Sequence, residues 1–338
     1  MMNLSNIKVS VIMACHNSAC YLDEAVQSVL GQTLSDLELI LIDDASTDNT
    51  LDIANRYRLR DSRVLVLSQA INSGAAIARN QAINIARGEW IGILDSDDVA
   101  MPSRFEEQMK VAEKDSGIVI IGSNAISMDS TGQLIKEHKY PTTHKALMKR
   151  LTRSRAFPVH SSMVYLADAV KSLSGFNPLY VPSEDYDLWL RLSEIGKLTS
   201  IDKTLVKIRI HGQSVSRSQG ATLQIRNGIA ASVCYFLRHN GFSDPSANNE
   251  EKIWQDFDAW VYRRLHEEGI FEKYQTRSEV RAAYLATKRD FINLCLWGIR
   301  LLQSGHAGSI AWETFFGTTL ARRLAHEWMA RTSPRQYS

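Results

Sequence analysis

Cysteine is scarce in this chain of 338 residues. The four cysteines are Cys15, Cys20, Cys234 and Cys295, and no two of them form a CxxC pair. Such spacing is typical of neither a disulfide framework nor a zinc knuckle. We therefore interpret all four as ordinary reduced thiols.

Long apolar runs are missing as well. No stretch approaches the roughly 18 uninterrupted apolar residues that a transmembrane helix needs. The N-terminal segment MMNLSNIKVSVIMACHNS is not typical of a secretory signal, because its apolar run is short, interrupted and β-branched. These absences predict a cytoplasmic protein, and they leave open a peripheral contact with the inner face of a membrane.

The chain also lacks a strong excess of charge, since its formal net charge is +2. Residues 1–100 hold 7 Lys and Arg against 13 Asp and Glu, so this part carries −6 and the remainder +8. The acidic part argues against direct nucleic-acid binding there. The basic remainder permits contact with an anionic surface.

Five short apolar segments predict β-strands, because each is of strand length and β-branched or strongly apolar. They are residues 7–14, 37–43, 63–69, 89–95 and 117–126. Segments with helical spacing lie between them, and we predict that Ser46 caps the second helix and Ser103 the fourth. Repeated strand–helix–strand units predict an α/β fold with a parallel sheet covered on both faces.

Polar residues follow three of these strands: ACHNS the first, DDASTDNT the second and DSDD the fourth. Ligands bind beyond the carboxyl ends of the strands in such sheets, so this convergence predicts a nucleotide-type site.

The segment DSDD places Asp95, Asp97 and Asp98 directly after an apolar run. A carboxylate cluster there suits Mg²⁺ or Mn²⁺, held by one or two carboxylates and by phosphate oxygens. Two other interpretations stay open. One is an Asx-rich turn that caps the next helix. The other is the D-x-D-x-V motif of a haloacid-dehalogenase-type phosphatase with Asp95 as nucleophile, although that motif belongs on a first strand.

The second half of the chain has a different pattern. SEDYDLWLRLSEIG predicts an amphipathic helix ending at Gly196, and LTSIDKTLVKIRIHG predicts an extended segment. After about residue 219 the chain is predicted to be almost entirely helical, and FINLCLWGIRLL is apolar enough to be buried.

The last helix, TTLARRLAHEWMARTSPR, combines an apolar face with arginines. The apolar residues are Leu320, Leu324 and Trp328, and the arginines are Arg322, Arg323 and Arg331. This face is predicted to dock on the rest of the protein or on a second subunit, with an anionic membrane surface as the alternative.

Four segments taken together carry a resemblance. VSVIMACHNSACYLDEAVQSVLGQTLSDLELILIDDASTDNT, NSGAAIARNQAINIARGEWIGILDSDD, SGFNPLYVPSEDYDLWLRL and IRIHGQSVS occur in this order. They closely resemble the family 2 glycosyltransferases over about residues 7–217. This resemblance implies a GT-A fold, Rossmann-like with a mostly parallel central sheet flanked by helices. It divides the chain into a transferase domain, residues 1–217, and an α-helical C-terminal extension, residues 218–338.

The resemblance also implies roles for individual residues. Asp44, with Asp43 beside it, corresponds to the carboxylate that reads the nucleobase, and Ala14–Asn17 to the loop lining that base. The family often has Thr-Tyr-Asn in this loop, where this chain has Cys15, His16 and Asn17, and an imidazole can still stack on a base. The segment that closes the nucleotide pocket is matched by Asn72, Gly74 and Arg79. Asp97 would bind the metal, Asp95 and Asp98 would place ribose, sugar or metal-bound water, and His211 would complete the metal shell.

Glu184 and Asp185 fall in the first turn of a predicted helix. There they could simply complement the helix dipole, a contribution of about 0.3–1 kcal/mol. The resemblance instead implies an acceptor-site motif with Asp185 as general base, which would remove a proton from the attacking hydroxyl.

These inferences predict a metal-dependent, inverting glycosyltransferase of hexosyl type. Its donor would be a nucleotide sugar, with UDP expected as the nucleotide, and its acceptor a saccharide or a lipid-linked saccharide in bacterial-type glycan biosynthesis. A phosphatase and a non-catalytic nucleotide-sugar-binding protein are the alternatives.

Overall fold

The alternation of apolar segments and helices forms a layered α/β unit. The computed structural model describes residues 7–152, 157–212, 221–247, 251–271 and 309–332. The described residues fall into two compact units, the first comprising residues 7–151 and 157–212 and the second the helices from residue 221 onward.

The first four strands lie parallel, as their sequences predict. They are β1 (Val9–Cys15), β2 (Leu37–Asp43), β3 (Val64–Ser68) and β4 (Trp90–Ile93), joined by helices α1 (Leu22–Leu30), α2 (Thr50–Arg60) and α3 (Ala75–Ile85). All seven residues of β2 are buried, which explains its nearly continuous apolar sequence.

The remaining strands make the sheet mixed. They are β5 (Val99–Ala100), β6 (Ile118–Asp129), β7 (Leu134–His138), β8 (Val164–Leu166) and β9 (Lys197–Ile210). The strand order is β3-β2-β1-β4-β8-β6-β9-β5, with β7 paired to β6. β8 runs antiparallel to both β4 and β6, whereas β9 runs parallel to β6. The parallel order predicted from the sequence therefore holds for the first half of the sheet.

Four further helices belong to this unit: α4 (Arg104–Ala112), α5 (His144–Leu151), α6 (Ala167–Ser172) and α7 (Glu184–Ser193). Ser103 stands at the N-cap position of α4, although its side chain makes no capping hydrogen bond. The prediction that Ser46 caps α2 is wrong. The Asp48 carboxylate instead accepts the backbone N–H of Thr50 (3.0 Å), and the Ser46 hydroxyl accepts that of Asn17 (3.0 Å).

The link between α6 and α7 depends on a glycine. Asn80 of α3 accepts the backbone N–H of Phe176 (2.8 Å) and donates to its carbonyl (2.7 Å). Gly175, directly before it, has a φ of +73°, and a Cβ added there would lie 2.3 Å from Asn80 Oδ1. Only glycine therefore combines this backbone conformation with so close an approach.

Gly175→Ala is expected to lower the free energy of unfolding by about 2–3 kcal/mol, because backbone strain and a clash add. Chemical denaturation measures this value. Gly132→Ala is the matched control, since Gly132 has a φ of +89° with no atom within 4 Å of an added Cβ. Equal losses in the two variants would show that the contact with Asn80 contributes nothing.

The second unit is helical in its described residues. Its helices are α8 (Ala221–His239), α9 (Glu251–Glu267) and α10 (Ser309–Thr332). Trp328 of α10 lies 5.1 Å from the rings of both Phe257 and Trp260, and Leu320 and Leu324 are buried. The apolar face predicted for docking or membrane contact is thus packed inside this unit.

Arginines of α10 also have partners within the second unit. Arg323 donates to Glu268, and the guanidinium of Arg322 lies 5.2 Å from the ring of Phe236. In the described residues, no helix is long and apolar enough to cross a membrane. The predicted buried helix at residues 290–303 lies outside the described residues.

Candidate active site

The polar strand ends that the sequence singles out lie on neighbouring strands. β1 lies between β2 and β4, with Cys15 paired to Asp43 and Ile12 paired to Ile93. The loops that follow these three strands therefore leave the sheet at the same edge.

Asp44 anchors the loop that follows β3. Its carboxylate accepts the backbone N–H groups of Ser73 and Gly74, both at 2.8 Å, and the Asn72 side chain also accepts the Gly74 N–H (3.2 Å). Asp44 is only 3% exposed, and its neighbour Asp43, also buried, accepts the backbone N–H of Ser46 (3.3 Å). The structure thus brings Asp43, Asp44, Asn72 and Gly74 together.

The loop after β1 lies beside Asp44. His16 Nδ1 is 2.8 Å from the backbone oxygen of Asp44, and the Asn17 side chain accepts the backbone N–H of Thr47 (2.8 Å). Ala14 is half-buried, whereas His16 and Asn17 are exposed. The other ring nitrogen, Nε2, lies 3.3 Å from the side-chain amide of Asn17, so both nitrogens have partners while the ring itself stays exposed to a ligand.

Asp95 has a partner for each carboxylate oxygen. Arg79 donates to Oδ1 (3.0 Å) and the Ser161 hydroxyl to Oδ2 (2.9 Å), while the same hydroxyl accepts the Asp95 backbone N–H (3.1 Å). Burial opposes ionisation, but the Arg79 charge and the Ser161 hydrogen bond hold the pKa of Asp95 below its ordinary value. Both oxygens of Asp95 therefore accept hydrogen bonds within the fold, and the carboxyl group is ionised.

Asp98 and Asp97 are held differently. Asp98 is 5% exposed and accepts the backbone N–H of Arg209 (2.7 Å); burial and the charges of Asp97 and Asp95 raise its pKa well above the ordinary value. The Asp97 side chain is 27% exposed, and its Oδ2 lies 2.8 Å from His211 Nε2. Burial and the charge of Asp95 raise the pKa of Asp97.

Arg79 joins residues 95–98, which we call the carboxylate turn, to α7. Its guanidinium donates to Glu184 (2.9 Å) as well as to Asp95, and its side chain is only 10% exposed. The resemblance grouped Arg79 with Asn72 and Gly74 around the nucleotide. In the structure those two residues lie at Asp44, whereas Arg79 bridges two carboxylates that are 89 residues apart in sequence.

Glu184 and Asp185 occupy the first turn of α7, as predicted. Burial and the neighbouring charge of Glu184 raise the pKa of Asp185 to about 7. The next residue, Tyr186, donates its hydroxyl to the carbonyl of Leu151 at the end of α5 (2.7 Å). Trp189 is buried and donates to the Tyr165 hydroxyl (2.8 Å), so it belongs to the core.

The Asp97–His211 pair fits a divalent cation. Asp97 Oδ2 and His211 Nε2 form a hydrogen bond of 2.8 Å, and the same two atoms could both ligate one ion, since adjacent ligands of an octahedral ion at about 2.1 Å lie about 3.0 Å apart. Among the described residues, no group of three or more His, Cys, Asp or Glu side chains could hold a metal. A cation here would therefore need further oxygens, which the phosphates of a ligand can supply.

Ser161 and Arg209 were missed by sequence reasoning. Ser161 lies in HSSMVYL, a segment whose pattern predicts only a strand, and in the structure it belongs to a short 3₁₀ turn at His160–Ser162 that precedes β8. Arg209 lies within an extended apolar pattern, and its side chain is only 3% exposed. A charged residue at an inward position of a strand was the one available signal.

Known proteins are similar to this chain in sequence and in fold. The model of glycosyl transferase family 2 matches residues 10–174. An uncharacterized glycosyltransferase of Methanocaldococcus jannaschii is 33% identical over 60% of this chain and 70% of its own length. The O-antigen biosynthesis glycosyltransferase WbnJ of Escherichia coli is 34% identical over 62% of this chain and 82% of its own.

Two solved structures have a similar fold. S. aureus TarS 1-349 in complex with UDP-GlcNAc has a TM-score of 0.57 at 16% identity and covers 98% of this chain and 94% of its own. The Pyrobaculum calidifontis mannosyltransferase in complex with GDP-Man and Mn²⁺ has a TM-score of 0.53 at 16% identity, covering 96% of this chain and 88% of its own. On the sequence matches and the shared GT-A fold, the chain belongs to glycosyl transferase family 2 and is a glycosyltransferase.

Proposed function

We propose that the enzyme is an inverting transferase that moves a sugar from a UDP-sugar to a hydroxyl of a saccharide or a lipid-linked saccharide. One observation carries this proposal. The guanidinium of Arg79 lies within 3.0 Å of both Asp95 and Glu184, so the carboxylate turn and the acidic pair of α7 share one site. Donor and acceptor chemistry would then meet around Arg79.

Asp185 is our candidate for the general base. A base works best with a pKa near the operating pH, and the pKa of Asp185 is about 7. Its carboxylate would take the proton of the acceptor hydroxyl while that oxygen attacks the anomeric carbon. Attack on the face opposite the leaving nucleotide inverts the configuration. Glu184, fixed by Arg79, would hold the first turn of α7 in place.

The donor would lie along the loops after β1, β2 and β4. His16 and Asn17 would face the nucleobase, and Asp44 would hold the Asn72–Gly74 loop beside it. Asp97 and His211 would hold Mn²⁺ or Mg²⁺, whereas Asp95 and Asp98, each already hydrogen-bonded within the fold, would support the turn. When bound, the cation neutralises charge on the departing diphosphate.

The acceptor is proposed from the relatives. WbnJ is named for O-antigen biosynthesis, which supports a glycan or lipid-linked glycan acceptor for this chain as well. We propose residues 1–217 as the transferase domain and residues 218–338 as a region for contacts with acceptor, a second subunit or a membrane surface.

A phosphatase with Asp95 as nucleophile is disfavoured by the same geometry. Both oxygens of Asp95 accept hydrogen bonds, from Arg79 and Ser161, whereas a nucleophile needs an oxygen aimed at phosphorus. If the phosphatase hypothesis were right, mass spectrometry after incubation with a phosphoryl donor would reveal an aspartyl-phosphate at Asp95. A purely binding role is disfavoured because the chain has a candidate base, Asp185, and a candidate metal pair, Asp97 and His211.

A donor screen tests the proposed function. Slow hydrolysis of UDP-sugars should appear with Mn²⁺, be abolished by EDTA, and exceed hydrolysis of GDP-mannose. Hydrolysis of no nucleotide sugar would contradict the proposal. A preference for GDP-mannose would contradict only the assignment of UDP.

Asp97→Ala should weaken UDP binding at least about tenfold in Mn²⁺ and change it little in EDTA, because it removes one of two protein ligands of the cation. Calorimetry in the two buffers measures both values. Asp52→Ala, at an exposed position in the first turn of α2, is the control for loss of one negative charge. UDP affinity that responds to neither Mn²⁺ nor Asp97→Ala would show that the metal site is misassigned.

A further inference from the structure

Arg209, near the end of β9, is a buried cation in the first unit. Its side chain is only 3% exposed. An arginine held this far from water loses its hydration, and the fold must replace that hydration with hydrogen bonds and charge.

Two of its contacts are with the carboxylate turn. The backbone N–H of Arg209 donates to Asp98 Oδ1 (2.7 Å), and its Nε donates to the backbone oxygen of Asp97 (3.0 Å). The first contact fixes a side chain of the turn and the second fixes its backbone. Arg209 thus holds Asp97 by the main chain and leaves its carboxylate for other partners.

The far end of the guanidinium contacts the loop after β1 and helix α1. It donates to Glu24, whose side chain is 56% exposed, and it lies 4.6 Å from the ring centroid of Tyr21. It also lies 3.4 Å from the backbone oxygens of Asp129 and Ser130. The donors of one planar fork therefore connect three separate segments, which a lysine could not do.

His211 follows Arg209 by two residues, directly after β9, and both side chains lie near Tyr21: the His211 ring is 5.2 Å and the Arg209 guanidinium 4.6 Å from its ring centroid. Arg209 holds the backbone of Asp97, and His211 meets the carboxylate of Asp97 at 2.8 Å. The separation between the two candidate metal ligands consequently depends on where Arg209 places the turn.

We infer that Arg209 is a positioning residue that sets the Asp97–His211 separation and thereby the affinity for the divalent cation and the diphosphate that binds with it. This inference rests on the proposed function. It assigns no contact between Arg209 and substrate.

Arg209→Lys should weaken UDP binding in Mn²⁺ about tenfold, the lower end for residues that support metal ligands, and less than about twofold in EDTA. His211 is the other proposed protein ligand of the divalent cation, so replacing it should remove part of the same UDP affinity. Calorimetry on Arg209→Lys, His211→Ala and the double variant should therefore give non-additive losses of affinity. The double variant should bind UDP about as weakly as the single variant that binds it less tightly.

Arg63→Lys is the matched control. Like Arg209, Arg63 forms an ion pair and donates to a backbone carbonyl; its partners are Asp61 and Leu30. Replacing it therefore tests the loss of similar contacts elsewhere in the unit. It should leave the effect of Mn²⁺ on UDP affinity unchanged, whatever its melting temperature. Unaltered Mn²⁺ dependence in Arg209→Lys, or additive losses in the double variant, would overturn the inference.

If Arg209→Lys does not fold, Glu24→Ala decides, because it releases the guanidinium from an exposed partner. A loss of about threefold in Mn²⁺ alone would support the inference, and wild-type affinity would overturn it. Failure of the proposed function is distinguishable, since UDP binding by the wild-type protein would then show no Mn²⁺ dependence at all.

Discussion

Asp185→Asn is expected to reduce sugar transfer about 10²–10⁴-fold while UDP binding in Mn²⁺ stays within about twofold of wild type. Asparagine has nearly the same shape as aspartate and cannot take up a proton. The Asp185 carboxylate receives the backbone N–H of Tyr186 (2.7 Å), a contact that an amide oxygen can also make. A loss confined to catalysis would therefore report the missing base.

The pH profile provides a second readout for the same residue. A general base must be ionised, and burial together with Glu184 raises the pKa of Asp185 to about 7. The logarithm of kcat/KM should rise with a slope of one as pH increases toward 7 and then level off. A flat profile between pH 5 and 8 would contradict the assignment of Asp185 as base.

Asp185→Asn should stabilise the folded protein although it lowers activity. The folded-state pKa lies above the ordinary 3.8, so ionisation of Asp185 costs the folded state progressively more from about pH 4 to pH 7. Asp185→Asn should raise the free energy of unfolding by about 1–2 kcal/mol above pH 7, allowing for partial exposure, and by less at pH 5.

Asp168→Asn is the control for this variant, because Asp168 is an exposed acidic residue in the first turn of α6. It should lose only the interaction with the helix dipole, about 0.3–1 kcal/mol, and retain full activity. Loss of donor binding in Asp185→Asn would show that the carboxylate contacts the donor and that the base must be sought elsewhere.

Arg79→Met is expected to have the second-largest effect, since it removes a cation that contacts both Asp95 and Glu184. Glu184 and Arg79 are each only 10% exposed, so a buried charge is left unpaired, at a cost of about 3 kcal/mol. The negative charge around Asp185 also rises, which should move the acid limb of the pH profile upward. Transfer should fall at least about 100-fold because both motifs lose their common anchor.

A double-mutant cycle separates the two contributions of Arg79. Combining Arg79→Met with Glu184→Gln removes both partners of the buried pair, so denaturation should show part of the stability restored. Activity should stay low because Asp95 still lacks its cation. Full recovery of activity in the double variant would mean that Arg79 serves only the fold.

The strands of the parallel half could be predicted closely because each is buried on both faces and reads as an apolar run. The predicted segment 37–43 coincides with β2 at both ends. The hairpin strand β7 was missed, since all but one of the residues in Leu134–His138 are exposed and their sequence carries no alternating pattern. Local periodicity reports burial, so strands without a buried face escape it.

The candidate site, like the fold, could be predicted only in part from the sequence. The sequence places Asp95, Asp97, Glu184 and Asp185 at strand and helix ends, and the structure retains all four positions. The interaction that joins them could not be predicted from sequence, because Arg79 reaches Glu184 across 105 positions of the chain. Single-sequence reasoning identifies chemically suitable groups but not the long-range contacts that connect them.

The placement of β9 has a consequence for the order in which the protein acquires its chemistry during synthesis. His211 and Asp97 are 114 positions apart, and the backbone N–H that satisfies Asp98 is supplied from 111 positions away. Contacts this distant in sequence require a large loop to close, and a growing chain can form them only after residue 211 has been synthesised. A nascent chain that has not yet released β9 would hold a carboxylate turn without its histidine and without its buried arginine. We therefore expect the protein to bind the divalent cation only after β9 has paired with the sheet.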